Sequence, residues 1–269
     1  MRNLKNTLVS LLFLSVVIGG FYFLILGSSD DFRRDVVHPA PLIKFGENDP
    51  GVLTKSGVFD LTNQQRIDHK LDIFLTNELL DRAAEIKVDD MIDRQYFDHE
   101  SPTGEGVADL ATRVGYEFII VGENLAMGDF LDDKELVIGW MNSPGHRENI
   151  VNPNYIEMGV AVKRGVMNNR EVWFAVQIFG LPLSICPSIN ESLLVSINKK
   201  EAELASLQEK MNTLKREIES TIPRNNQKIG EYNSLINQYN ELINQQRSLI
   251  NEYNRQVEVM NKCIAEYGS

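Results

Sequence analysis

Three side chains in the middle of this 269-residue chain are of the types that do chemistry: His99, Glu123 and His146. Each sits in a short block, YFDHESPTG, GENLAMG or WMNSPGHRENIVNPNYIEMGVAV, rich in the Gly, Pro and Asn residues that mark turns. Two facing imidazoles beside a carboxylate would share a divalent ion, zinc first among them, with water in the open positions. Glu123 would then complete the ligand set or act as a general base on the bound water. The histidines lie far apart in sequence, so no single block is a metal signature by spacing. Two imidazoles are also one ligand fewer than catalytic zinc sites use. Ser101 and Ser143 each stand near one histidine and offer a nucleophile, but no elbow motif surrounds either. A further reading needs no reaction at all: the three side chains form a hydrogen-bonded cluster that ties loops together.

In this order and with these gaps, the blocks resemble the bacterial branch of the CAP superfamily (cysteine-rich secretory proteins, antigen 5 and pathogenesis-related 1 proteins), also called the SCP domain. The resemblance runs from Asp60 to Leu181 and takes in Asn63 and Arg66 of an NxxR motif and the stretch LLDRAAEIKVDDMIDRQYF. It implies an α-β-α sandwich with a groove displaying two histidines and two acidic residues. His99 of FDHESP and His146 of SPGHREN stand at the two histidine positions, and Glu123 of GENLA at the first acidic one. The second glutamate falls three residues after Trp140, where this chain has Ser143. His146 is thus left to Ser143, backbone or Glu148 for its orientation. Some relatives of this fold bind lipids, so a carrier of lipid or small apolar ligands stands as one alternative. A metal-dependent hydrolase acting on peptide or cell-envelope material is the other. The first reading is a binding or interaction module.

The elements around these blocks read as α+β. Leu61 to Leu75, Asn77 to Arg94, Gly106 to Val114 and Asp132 to Met141 have helical character, with Asp132 as an N-cap. Tyr116 to Val121, Met158 to Lys163 and Val172 to Phe179 read as strands, the last two joined by a hairpin at Met167-Asn168-Asn169-Arg170. Trp140 is expected in the core, Asn124 against buried backbone beside the groove, and His38 and His69 on the surface.

The ends of the chain carry different signals. Residues 1–6 hold Arg2 and Lys5, and residues 7–27 are apolar or small without a charge. That is long enough to span a bilayer as a single helix. The basic flank predicts a cytoplasmic N-terminus with the bulk of the chain outside; secretion after cleavage is the alternative. Residues 28–59, with Pro39, Pro41 and Pro50, read as a tether to a domain at 60–184. Residues 188–267 alternate three- and four-residue apolar steps, from Leu204 through Ile218 and from Ile229 through Tyr267, as a left-handed coiled coil does. Pro223 interrupts the series and predicts an antiparallel helical hairpin. Leu235, Leu242 and Leu249 widen its apolar face, toward the domain, toward a second copy or simply within the hairpin. Cys186 and Cys263 lie at matched distances on either side of Pro223, so folding there brings them together as a disulfide that persists outside the cytoplasm. A formal net charge of −11 disfavours nucleic acid as a partner.

Overall fold

The computed structural model describes residues 35–46, 51–222 and 225–267. The basic flank at 1–6, the apolar run at 7–27 and Pro223 lie outside the described residues. Among the described residues no helix is long and apolar enough to cross a membrane.

Three long strands form the centre: β4 (Phe118–Gly128), β5 (Glu157–Met167) and β6 (Arg170–Pro182). They are antiparallel, and β5 turns into β6 through Asn168 and Asn169, both at positive φ as a tight hairpin requires. Three short strands complete a mixed sheet. β1 (Asp35–Val37) and β2 (Leu42–Lys44) both pair parallel with β4, and β3 (Leu75–Thr76) pairs parallel with β5.

Helices cover both faces. Strand β6 alternates: Val172, Phe174, Val176 and Ile178 enter one core, while Trp173, Ala175 and Phe179 enter the other. The first core lies under α2 (Glu78–Arg94) and α3 (Val107–Arg113) through Leu80, Ala84, Met91 and Leu110. The second lies under α1 (Lys55–Asp68), α4 (Asp133–Asn142) and α5 (Pro144–Ile150), with Trp140 and Tyr155 at its centre. The result is the α-β-α sandwich. Asp132 caps α4 by accepting from the Glu135 amide.

Four local expectations need correction. The block GENLAMG is not a turn but the heart of β4, paired along its length with β6 and at its two ends with β1 and β2; its Gly128 leaves room for the Lys44 carbonyl to approach. The block SPGHREN is helix α5, with Pro144 in the first turn where its missing N–H costs nothing. Helix α1 starts at Lys55, capped by Thr54, and ends at Asp68. Residues 69–74 are irregular, fastened by Asn63, whose amide pairs with both backbone groups of Phe74, and by the buried Arg66 guanidinium. The Arg66 side chain donates to the carbonyls of Asp72, Ile150, Asn152 and Tyr155. Finally, residues 28–59 are not all tether: β1, β2 and the start of α1 belong to the domain.

Beyond the sandwich, α6 (Glu191–Ser220) and α7 (Asn226–Tyr267) run antiparallel. The Lys228 ammonium meets Glu217 at 2.9 Å at the far end, and the Asn190 amide donates to Gln256 near the domain. Ile197, Leu204 and Met211, seven residues apart, are buried along α6, and Leu242, Ile243 and Gln246 along α7. Cys186 and Cys263 form the expected disulfide, their Cα atoms 5.8 Å apart. Beside it, Ile264 and Tyr267 pack onto the second core, so the base of the hairpin is seated on the sandwich.

Candidate functional site

Strand β4 carries the site because its alternation sends neighbouring side chains to opposite faces. Glu123 points toward α2, and Asn124 toward α5. His99 comes from the loop after α2 and His146 from α5. All four are buried.

The His99 ring donates from Nδ1 to Glu123 Oε1 at 2.6 Å and from Nε2 to the Pro39 carbonyl. Both nitrogens thus face oxygen atoms of the protein. On the open side the ring stacks on His38, with centroids 4.9 Å apart. His38, expected only as a surface histidine, is exposed yet part of the site. His146 is held differently. Its Nδ1 lies 2.7 Å from the Ser143 hydroxyl, the residue standing where the resemblance places a glutamate. Glu148 is exposed and takes no part in orienting it. Burial, and then the charge of His99, pushes the His146 pKa down to about 4, with the Leu125 backbone acting weakly the other way. At neutral pH this ring is uncharged.

A chain of buried amides locks the two sides together. Asn124 donates to the His146 carbonyl and to Gln177 Oε1, both at 3.1 Å. Asn149 donates to Asn124 Oδ1 and to the Glu123 carbonyl. Gln177 donates to Thr62 Oγ1 of α1. Such a network is rigid only when its members are satisfied; here it fixes the backbone beneath Glu123 and His146.

Beneath His99 lies a residue that the motifs do not show. Lys87 of α2 is 1% exposed and donates to the His99 carbonyl at 2.6 Å and to Tyr96 Oη at 3.3 Å. Tyr96 in turn donates to Asp90 at 2.7 Å. Burial lowers the Lys87 pKa, and the nearby Glu123 carboxylate partly offsets this. Its signal was available: Lys87 is the one charged residue on the stripe Leu80, Ala83, Ala84, Val88, Met91. A lysine there needs a buried partner.

The set as placed does not fit a shared metal ion. A ligating imidazole needs a lone pair, and both nitrogens of His99 face acceptors. Among the described residues no three His, Cys, Asp or Glu side chains are grouped to hold an ion. Within this set of His99, Glu123 and His146, Glu123 Oε2 and His146 Nε2 are buried without hydrogen-bond partners. Of the serines, Ser101 is spent in a turn, accepting from the amides of Thr103 and Glu105. Ser143 does meet a histidine, but an imidazole with a pKa of about 4 is a weak base for activating a hydroxyl at neutral pH.

Residues 59–179 match the family model described as CAP, the cysteine-rich secretory protein family. The chain is 39% identical over 116 residues to the uncharacterized protein YkwD of Bacillus subtilis, covering 43% of each. It is 33% identical over 107 residues to the uncharacterized membrane protein YlbC of the same organism, covering 40% of this chain and 31% of that one. The matches thus span less than half the length of either relative. Among solved structures, an extracellular protein containing a SCP domain from Bacillus anthracis is 33% identical with a TM-score of 0.41, covering 47% of this chain and 39% of that one. With the family match falling on the sandwich and all three site blocks, the part of this chain from residue 59 to residue 179 is a domain of the CAP family.

Proposed function

We propose that this chain is a membrane-anchored extracytoplasmic protein whose CAP domain is a binding module and whose helical hairpin serves as a coiled-coil spacer or assembly element. The observation that carries the reading is the His99 ring. Both its nitrogens are engaged with protein acceptors, so the ring is built to hold a shape and receive a carbonyl rather than to transfer a proton. His146, neutral and half-paired with a hydroxyl, supports the same reading. The anchor rests on the charge-free run at 7–27 and agrees with the description of the relative YlbC as a membrane protein. The cystine agrees with an oxidising compartment.

Purified protein incubated with cell-wall peptidoglycan and an unbiased peptide mixture, with and without added zinc chloride, tests this. A binding module releases no product. Turnover that disappears in a His99→Ala, His146→Ala double variant would overturn it in favour of the second reading, a metal-dependent hydrolase. That reading draws its support from the unpaired Glu123 Oε2 and His146 Nε2. It also requires His99 to give up the Pro39 carbonyl.

A further inference from the structure

The groove beside His99 is filled, and what fills it is a stretch of extended chain. Strand β1 pairs with Ile120 to Gly122, and β2 with Ala126 to Gly128. Between them the four residues 38–41 cross the three positions 123–125 of β4. One extra residue over that span forces the backbone to bow, as a bulge does. Pro39 and Pro41 favour that bow, because neither has an amide to offer to a ladder. The bow presents the Pro39 carbonyl to His99 Nε2 and lays the His38 ring on the His99 ring.

The seat is cut for this segment. Gly145 lies in the first turn of α5, and a Cβ there would come within 2.6 Å of Pro39 Cβ. Leu42, after the bow, is partly buried and packs on the second core, its side chain close to Gly139 of α4. Without residues 35–44, β4 would be an open strand edge, the surface to which extended peptides add. The seat combines four elements: an open β edge, an imidazole donor aimed at one carbonyl, a glycine notch for one ring and an apolar spot for the residue three further on.

We propose that the groove is a peptide-binding site. It takes an extended, proline-bearing segment by parallel addition to β4, and residues 35–44 are its ligand in cis. This rests on the binding-module reading and names the chemistry of what is bound: backbone in β conformation, a proline whose carbonyl meets His99, and an aliphatic side chain three residues later. A peptide of the same pattern, from another copy or another protein, competes for the same seat. In cis the segment enjoys an effective concentration in the millimolar range. A peptide at about 10 μM in trans is therefore outcompeted about 100-fold.

The test uses the full chain and a fluorescent peptide of sequence DVVHPAPLIKFG, residues 35–46. Two variants loosen the cis segment, Pro39→Gly and Leu42→Ser, so that loss of fold in one leaves the other. Fluorescence anisotropy at about 10 μM peptide is expected to show binding to the loosened proteins and its loss in the unmodified chain, where the cis segment holds the seat. Adding Gly145→Val should abolish it in either background, and a scrambled peptide should not bind. No binding to either loosened protein, or binding indifferent to Gly145→Val or to scrambling, would overturn the proposal. Hydrogen exchange on the unmodified chain is an independent check. The amides of Leu42 and Lys44, on the side of β2 that faces β4, must be protected, and exchange there at the rate of a free peptide would also overturn it. Mass spectrometry of the recovered peptide separates the two levels. Intact peptide supports both; cleaved peptide would defeat the binding-module reading while leaving a proline-bearing peptide as what the groove takes.

Discussion

His146 makes a sharp prediction about acid stability. Its pKa is about 4 in the folded protein against an ordinary 6.5. A histidine whose folded pKa is depressed is protonated preferentially by the unfolded chain. Its neutral form favours the fold fully above pH 6.5, and that stability is lost as the pH falls toward 4. Each pH unit separating the folded and unfolded values is worth about 1.4 kcal/mol, so the loss between pH 7 and pH 4 is about 3 kcal/mol, nearly half of it by pH 5.5. For a domain with a typical stability of about 5–15 kcal/mol this is a large fraction. Other groups titrate in the same range, so the measurement must be a difference. Guanidinium unfolding of the oxidised protein at half-unit intervals from pH 7.5 to 4 is compared with His146→Gln, which stays neutral and keeps a hydrogen-bonding group near Ser143. The variant starts less stable, and its curve should flatten relative to the parent until the gap closes by about 3 kcal/mol. Parallel curves would refute the reasoning, because they would mean that His146 titrates alike in both states.

Three other outcomes are expected. Lys87→Met keeps volume but strips the donor from the His99 carbonyl and the cation from beside Glu123, and should cost about 2–4 kcal/mol in denaturant unfolding; a loss below about 1 kcal/mol would show that the buried ammonium is not holding the loop. Cys263→Ser opens a closed loop with a sequence separation of 77, worth about 4.5 kcal/mol on the chain-entropy argument; hydrogen exchange should rise along α6 and α7 while β4 to β6 stay protected, and equal loss across the sandwich would contradict a separately folded domain. The full chain should sediment with membranes and be released by detergent, whereas N-terminal sequencing of native protein that begins beyond Gly27 would replace an anchored protein by a secreted one.

Much of the fold and the core of the site were legible because they rest on local pattern. The stripe of α2, the Asn-Asn hairpin and the matched cysteine distances are each read within a short window or from one proline. His99, Glu123 and His146 were legible through their blocks, and Ser143 through the departure it represents. What escaped depends on distant pairing. β1 and β2 have three residues each and sit among prolines, so no period of two develops and composition alone says tether. Their partner on β4 lies more than 80 residues along the chain. For the same reason GENLAMG, with a glycine at each end, reads as a turn until one sees that the second glycine admits another backbone. Lys87 was missed because charge on a helix is usually solvated, and only its place on an apolar stripe argued otherwise.

The two histidines carry unlike partners, and that difference has a measurable consequence. His99 has a carboxylate at 2.6 Å, whereas His146 has a hydroxyl at 2.7 Å. A hydroxyl brings no charge to offset burial or the neighbouring His99, which is why the pKa of His146 falls. A carboxylate within hydrogen-bond reach favours the charged ring and commonly moves a pKa by about one to three pH units. Ser143 is half-buried between the C-terminal end of α4 and the N-terminal end of α5, two helix ends that act in opposite directions on a carboxylate, so the charge itself sets the shift. Ser143→Glu should therefore raise the His146 pKa by about one to three pH units from its value of about 4, read directly from the ring resonances in an NMR titration. The acid loss of stability should shrink in step, since the folded value approaches the unfolded one. A titration unchanged in the variant would show that burial alone sets the basicity of this ring and that the residue at position 143 has no electrical part in the site.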